Sequence, residues 1–597
     1  MGRPGLAFAA AAAVLISASQ GYAAERRAVV QGVEDHGLRD ALQIAIGDEK
    51  AAPANRLDAR RRARQAAESA TALLRSEGYY DYQVTPDIGE GDRPQPVVKI
   101  DVGPRTHLAP PEVDWVGDAP PADVQAAVLK AIALKPGAPA RAADVLAGEG
   151  RAVAAVQQRG YANAKTADRQ VTVEHIDETM HLVVRIAAGK LVRLDGLKVE
   201  KKGRTRATWL KSLVPWKPGE VYKPDKVAEL ERRLLDTQAY ESVSVALAPE
   251  PGPDGLTPVL VNLVDRSRHS FEFSAGYSTT EGADINIALS TYNPFGRGDT
   301  LTYEARYASL ANTNDLGSLV GVKLALPDFT APGRILTVEP AFFQSVAYDY
   351  VYVETGGRIA GDITQRYGKT SFITGGASIA ASEVNDKETG TIDILTFRLL
   401  AAFTLDRSDN PLDPHYGYKI DARVEPTQIE GDVQMPFVKL QAEAMYYLPI
   451  GAEMNTVLAF RGHVGSIVGG RISSLPAPDR FYAGGGGSVR GYVYQSVGPH
   501  YADNNPVGGL SLVEESVEVR HRFTNTLGGV LFFDAGSVGT QIQPDFAHTD
   551  TAVGVGFRYN LGFAPLRADL AFPLQNANNK GISEQPFQIY ISIGQSF

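Results

Sequence analysis

There is no cysteine among the 597 residues. Its absence excludes disulfides, thiol catalysis and cysteine-ligated metal, so an exported chain of this size would depend on the cores of its domains. Long hydrophobic runs are also missing: no segment approaches the ~20 consecutive apolar residues of a membrane-spanning helix. Basic excess is lacking too. The 59 Lys and Arg stand against 69 Asp and Glu, a formal charge of −10, which argues against a nucleic-acid partner. The chain has neither a Gly-x-Ser-x-Gly elbow nor a His-Glu-x-x-His pair. Gly486 and Gly491 have the spacing of a phosphate loop, but Tyr492-Val493 stands where Lys-Ser/Thr is required. His175 and His181 read as surface or strand residues. No enzyme, cofactor or metal is therefore expected. A transmembrane β-barrel stays open, because it needs only modest mean hydropathy.

The chain opens with Met1-Gly2-Arg3-Pro4, an apolar stretch from Leu6 to Ile16, and Gly21-Tyr22-Ala23. A basic start, a short apolar core and a small-residue site describe a secretory signal peptide, residues 1–23, cleaved after Ala23. From about Ala24 to Arg266 helical and strand periodicities alternate, and a marker recurs three times. It reads Leu73-Leu74-Arg75-Ser76-Glu77-Gly78-Tyr79, then Val156-Gln157-Gln158-Arg159-Gly160-Tyr161, then Leu234-Leu235-Asp236-Thr237-Gln238-Ala239-Tyr240. The tyrosines are 82 and 79 residues apart, the period of one small domain. Each marker leads into a strand, and a second strand closes each unit: Val97 to Val102, Leu182 to Ala187, Leu260 to Val264. The repeat is a strand, two helices and two strands, an α+β layer, over 24–104, 105–188 and 189–266. Glycine stops the helix in the first two copies, and Ala239 stands there in the third. The tyrosines read as core anchors. Arg56, Arg60 and Arg64 share a helix face that is either solvated or set against anionic lipid or a periplasmic partner. Lys201-Lys202-Gly203-Arg204 carries the same ambiguity.

Near Arg268 the period changes to two. Phe271, Phe273, Ala275 and Tyr277 alternate with Glu272, Ser274 and Gly276; Leu301, Tyr303, Ala305 and Tyr307 alternate with Thr302, Glu304 and Arg306. Towards the end Val553, Val555, Phe557 and Tyr559 alternate with Gly554, Gly556 and Arg558, and Leu566, Ala568, Leu570 and Phe572 with Arg567 and Asp569. Apolar residues on one face and charge on the other suit a barrel with lipid outside and a polar lumen. A soluble β-sandwich would alternate in the same way. The many strand candidates in 267–597 favour the barrel, with on the order of 16 strands. Phe587, Ile589, Ile591, Ile593 and Phe597 share one face of the last strand.

One loop stands apart: Arg480-Phe481-Tyr482-Ala483-Gly484-Gly485-Gly486-Gly487-Ser488-Val489-Arg490-Gly491-Tyr492. Four consecutive glycines permit positive φ, and they deliver Arg490. Either the loop is flexible with a solvated cation, or the guanidinium fork meets a carboxylate. Further segments accompany it: Asp406-Arg407-Ser408-Asp409-Asn410-Pro411-Leu412, Glu518-Val519-Arg520, Phe532-Phe533-Asp534-Ala535-Gly536 and Pro565-Leu566-Arg567-Ala568-Asp569. In this order they resemble signatures of the outer-membrane assembly and secretion (BamA/TamA) superfamily. Val489-Arg490-Gly491-Tyr492 is similar to its loop-six core, and the others to its Asp-x-Arg-x-Asn-Pro, Glu-x-Arg and Phe-x-Asp-x-Gly segments and its penultimate strand. Phe563-Ala564-Pro565 departs from the Ile-Gly-Pro usual there. The repeats resemble the superfamily's polypeptide-transport-associated (POTRA) domains, and three of them before such a barrel are most similar to its TamA-type members.

The resemblance implies three periplasmic POTRA domains followed by an all-β transmembrane barrel of about 16 antiparallel strands in the bacterial outer membrane. It implies a factor promoting insertion or secretion of autotransporter-type proteins, without nucleotide hydrolysis. The implied route is a lateral seam between the first strand (Ser270–Tyr277) and the last (Gln588–Phe597). Its partners would be the lipid bilayer, unfolded β-barrel or autotransporter substrates, and a periplasmic TamB-like inner-membrane-anchored protein. Gly594 is expected to loosen packing at the seam, and Phe597 to end the terminal strand. Phe533 and Asp534 must point to opposite faces. An outward Phe533 therefore turns Asp534 into the lumen, where it and Glu518 are the expected partners of Arg490. The alternative is a two-partner secretion transporter passing an unfolded polypeptide through the lumen, a family that usually has two periplasmic repeats and a plug helix.

Overall fold

The computed structural model describes residues 25–597 except 90–92, 202, 279–281, 309–316, 348–350, 369, 452–453, 547–548, 563–564, 575–585 and 594–596. The expected signal peptide, Phe563-Ala564 and Gly594 lie outside the described residues. The chain forms two compact units. One comprises the described residues up to Asp195 with Trp216–Lys226 and Glu250–Thr257; the other comprises Gly196–Pro215, Val227–Pro249 and Pro258–Phe597.

In the first unit, α1 (His36–Ile46) and α2 (Arg56–Glu77) cover a sheet of order Val29–Gln31, Gln95–Asp101, Gln83–Gly89. Leu42, Ile46, Ala70, Leu74, Val98 and Ile100 form its core. The Asn55 side chain caps α2 by accepting from the Asp58 N–H at 2.9 Å, and Gly78 ends the helix at φ +92°. Arg56, Arg60 and Arg64 lie on the exposed face of α2, so solvent is what they meet within this chain. Helices α3 (Ala122–Ile132) and α4 (Ala142–Gln157) cover a second sheet, whose Thr179–Ala187 strand runs parallel to Glu112–Trp115. Of the marker tyrosines, Tyr161 and Tyr240 are buried. Tyr79 is half-exposed, and the Arg105 guanidinium lies 5.3 Å above its ring.

A third sheet of order Leu194–Lys201, Thr257–Asp265, Tyr240–Leu247 lies mostly in the second unit, with α5 (Ala207–Ser212) and α6 (Pro224–Asp236). Here the helix stop differs from the sequence expectation. The left-handed residue after α6 is Gln238, at φ +57°, one position before Ala239. Ala239 thus replaces no glycine function.

The rest of the second unit is a sheet of sixteen strands in sequential order. They are β1 (His269–Ser278), β2 (Gly282–Tyr292), β3 (Thr300–Ala308), β4 (Ser318–Leu326), β5 (Arg334–Val346), β6 (Tyr352–Tyr367), β7 (Ser371–Asp386) and β8 (Gly390–Asp406). There follow β9 (Gly417–Gly431), β10 (Met435–Ile450), β11 (Thr456–Val468), β12 (Ser511–Arg522), β13 (Leu527–Gly539), β14 (Asp550–Asn560), β15 (Pro565–Pro573) and β16 (Gln588–Ile593). The sheet curls until β1 and β16 approach within 8 Å at Cα, yet among the described residues no backbone pairing joins them. Phe271, Phe273, Tyr303, Tyr307, Phe557 and Leu566 are exposed on the outer face, whereas Arg558, Arg567 and Asp569 are buried on the inner one. Phe533 is likewise outward and Asp534 fully buried.

The third sheet docks on the short barrel turns. Thr205 Oγ1 lies 2.6 Å from the Tyr240 hydroxyl and accepts from Asn293 Nδ2 at 2.9 Å, Asn293 being in the β2–β3 turn. Burial pushes the Tyr240 hydroxyl up to about 12, so it stays neutral. Arg233 Nε meets Asp328 Oδ2 at 3.2 Å in the β4–β5 turn.

The last strand differs from expectation. Phe587, Ile589 and Ile591 are exposed on the outer face, but Phe597 does not share that face. Its ring packs with Tyr447, Val457 and Ala459, and the Arg520 guanidinium lies 5.0 Å from it. Arg520 Nη2 also donates to the Phe597 main-chain oxygen at 2.9 Å. This cation–π contact and hydrogen bond offset the loss of lipid contact.

Candidate functional site

The loop between β11 and β12 folds back inside the barrel. Its root is held by Arg480, which donates to the carbonyls of Leu475 at 2.9 Å and Val507 at 2.8 Å. Two of the four glycines, Gly484 and Gly485, take positive φ, at +110° and +105°. That conformation turns the chain so that Val489, Arg490 and Tyr492 are all buried. Phe481, Val489, Tyr492 and Val497 join Leu512, Val538 and Ala552 of the wall in one apolar cluster. A side chain at Gly536 would clash with Val489, its Cβ falling 2.3 Å from Val489 Cγ2. The glycine of the Phe-x-Asp-x-Gly segment is thus the seat for the loop.

Arg490 is 1% exposed and is wrapped by β12, β13 and β15. Its Nε and Nη2 make a bidentate pair with Asp534 at 2.6 and 2.8 Å, and the Asp534 carboxylate also accepts from the Arg490 backbone N–H at 3.1 Å. Nη1 reaches Glu518 at 2.6 Å and Asp569 at 3.1 Å. The guanidinium plane lies 3.5 Å from the centre of the Phe532 ring. Period-two alternation produces the arrangement: Ser516, Glu518 and Arg520 share the inner face of β12, Phe532 and Asp534 that of β13, and Arg567 and Asp569 that of β15. Register completes it by setting Ser516 beside Asp534, Glu518 beside Phe532, and Arg558 of β14 beside Arg567.

Around Arg490 the charges alternate. Arg520 Nε binds Glu518 at 2.7 Å, Arg567 Nε binds Asp569 at 2.6 Å, and Arg558 Nη1 contacts the other Asp569 oxygen. Four guanidiniums therefore enclose three carboxylates where little water reaches them. Besides Arg490, Glu518 has one further arginine and Asp569 has two. Asp534 pairs with Arg490, and the Ser516 hydroxyl donates to it at 2.6 Å.

The expected partners Asp534 and Glu518 are thus both brought to Arg490. Asp569 joins them although the sequence reading placed it only on the charged face. Tyr590 of β16 is a further addition: the Gly491 N–H donates to its hydroxyl at 2.9 Å. Tyr590 falls on the inward parity between Ile589 and Ile591, which are exposed on the outer face. A second cluster was not anticipated either. Buried Glu514 accepts from Arg461 Nη2 at 2.8 Å, lies 3.0 Å from His463 Nδ1, and contacts the Ser488 hydroxyl of the loop. Among the described residues no group of three or more His, Asp or Glu is placed to hold a metal.

Residues 293–597 match the Omp85 superfamily domain, and residues 27–104 match the POTRA domain known as TamA domain 1. The chain is 22% identical over 589 residues to the outer membrane protein assembly factor BamA of Neisseria meningitidis, covering 87% of this chain and 72% of that one. It is 23% identical over 433 residues to BamA of Neorickettsia risticii, covering 69% of this chain and 56% of that one. Among solved structures, BamA from Haemophilus ducreyi lacking POTRA domains 1–3 superposes with a TM-score of 0.67 at 17% identity, over 82% of this chain and 99% of that one. That superposition supports the fold: POTRA-type N-terminal structure followed by a sixteen-stranded antiparallel barrel. The chain belongs to the Omp85 superfamily of outer-membrane proteins, with its N-terminal POTRA portion in the periplasm.

Proposed function

We propose that this protein promotes insertion or secretion of autotransporter-type outer-membrane proteins through a lateral seam between β1 and β16, without nucleotide hydrolysis. One observation carries the reading: β1 and β16 adjoin without a backbone ladder among the described residues. Unpaired strand edges template an incoming strand by β-augmentation, which needs no chemical fuel. The three α+β sheets serve as three POTRA domains that receive clients and a TamB-like inner-membrane-anchored partner. Arg490 acts as a brace that fixes the folded-back loop to β12, β13 and β15, and it performs no catalysis.

Because the chain has no cysteine, single engineered cysteines report cleanly. Cross-linking during assembly of an autotransporter barrel is expected from Phe271→Cys on β1 and absent from Ser378→Cys inside the lumen. Cross-links confined to the Ser378 position would replace this reading with a translocation pore.

A further inference from the structure

Tyr590 is the inward side chain of the strand that borders the seam. It is 3% exposed and packs with Val530, Phe532 and Ala571. Its hydroxyl is shared with the loop in both directions, accepting from the Gly491 N–H at 2.9 Å and donating to the Tyr492 carbonyl at 3.3 Å. Those two residues directly follow Arg490, and Phe532 lies against both Tyr590 and the Arg490 guanidinium. β16 is paired with β15 over six residues.

We infer that Tyr590 is a positioning residue that latches the last strand to the folded-back loop, so that withdrawal of the loop and release of β16 are one event. The seam thereby has unlike lips. The β1 lip is fixed from the periplasmic end: Tyr292 of β2 lies under the Arg266 guanidinium at 4.6 Å and meets the Ser270 hydroxyl at 3.1 Å, next to the docked third sheet. The β16 lip, besides its ladder to β15, is tied to the loop from inside through the Tyr590 hydroxyl. A phenol suits this role because its ring fills the apolar cluster while its oxygen serves a buried backbone donor and a buried backbone acceptor of the loop.

The inference rests on the seam reading for its meaning, but its test needs no client. In the full-length protein in lipid vesicles, hydrogen exchange is followed at the amides of 588–593 and 484–492. Tyr590→Phe keeps the ring and deletes the hydroxyl. It should accelerate exchange in both segments together by roughly tenfold, the ratio set by about one lost hydrogen bond, with β7 and β8 and the heat-modifiable mobility of the barrel unchanged. Arg490→Lys, which loosens the loop from its own side, should accelerate β16 with Tyr590 intact. Wild-type exchange in Tyr590→Phe, or acceleration of one segment without the other in either variant, overturns the latch. Coupled acceleration with undiminished client cross-linking at Phe271→Cys and unchanged insertion rates would uphold the latch and count against seam-limited assembly.

Discussion

The two walls of the barrel are held by different means. On the wall away from the seam, β6, β7, β8, β9 and β10 are 15 to 17 residues long. Beside the seam, the described stretches are ten residues in β1, eleven in β2, nine in β3, β4 and β15, and six in β16. The long wall is ordered chiefly by its backbone ladder, so no single side chain is expected to decide its integrity. The seam wall carries, besides its ladder, the buried network of the folded-back loop. Part of its order comes from inside, through Arg490, its three carboxylates and Tyr590. Rigidity supplied by a loop can be withdrawn by moving that loop, whereas a ladder must be broken bond by bond.

Removing Arg490 should break this contrast most. Arg490→Ala leaves Asp534 buried with only the Ser516 hydroxyl and a backbone N–H, and losing one partner of a buried pair costs about 3–5 kcal/mol. Asp534→Ala alone should cost less, because Glu518 and Asp569 still hold the guanidinium. The double variant should be more stable than the sum of the singles predicts, with a coupling of about 1–3 kcal/mol. Denaturant midpoints read from heat-modifiable mobility measure all three. Additive effects would mean that the bidentate contact contributes nothing of its own.

Glycines sharpen the comparison, because equal substitutions meet different surroundings on the two walls. A Cβ at Gly554 of β14 would fall 2.1 Å from the Phe532 ring and 2.4 Å from the Leu570 carbonyl oxygen, crowding the ring on which Arg490 rests. Gly554→Ala should cost about 1–3 kcal/mol by overpacking. Gly375 of β7 has open space where its Cβ would be, so Gly375→Ala should stay within about 0.5 kcal/mol of the parent. The same denaturation series compares them, and equal losses at both positions would dissolve the distinction between the walls.

Much of this was legible in the chain because period-two alternation is a local property. Phe533 against Asp534, and Phe557 against Arg558, fix which face is the lumen before any register is known. The order of the Glu518, Asp534 and Arg490 segments then implies their meeting. Asp569 was visible as an inward charge, but its contact with Arg490 depends on β15 lying two strands from β13, a non-local fact. Tyr590 was hidden by its neighbours: in Phe587, Ile589 and Ile591 the outward face dominates, and a tyrosine between them looks like one more apolar residue. Phe597 does not keep the outward parity of Phe587, Ile589 and Ile591, because its ring goes to Tyr447, Val457 and Ala459, contacts across the sheet that parity within one strand cannot disclose. Glu514 and Arg461 sit on separate strands whose pairing only the register discloses, Arg461 lying beside Ser516 and Gly462 beside Glu515.

The smallest expected effect compares one deleted hydroxyl on each wall. On the long wall, Thr364 of β6 and Thr374 of β7 share a hydrogen bond at 2.9 Å across a fully paired ladder. Thr364→Val removes that bond and keeps the branched shape the strand favours, at a cost of about 0.5–1 kcal/mol. On the seam side, the Ser516 hydroxyl donates to Asp534 at 2.6 Å and accepts from Arg490 Nη2 at 3.3 Å. Ser516→Ala deletes a bond to a charged group, which costs about 1.5–3 kcal/mol. The stability difference alone is modest, so the decisive readout is where the loss spreads. Thr364→Val should leave hydrogen exchange at 484–492 unchanged. Ser516→Ala should raise it, because Asp534 loses a donor and holds the loop's arginine less firmly. If both variants leave the loop amides equally protected, the seam wall is ordered by its backbone after all, like the wall opposite.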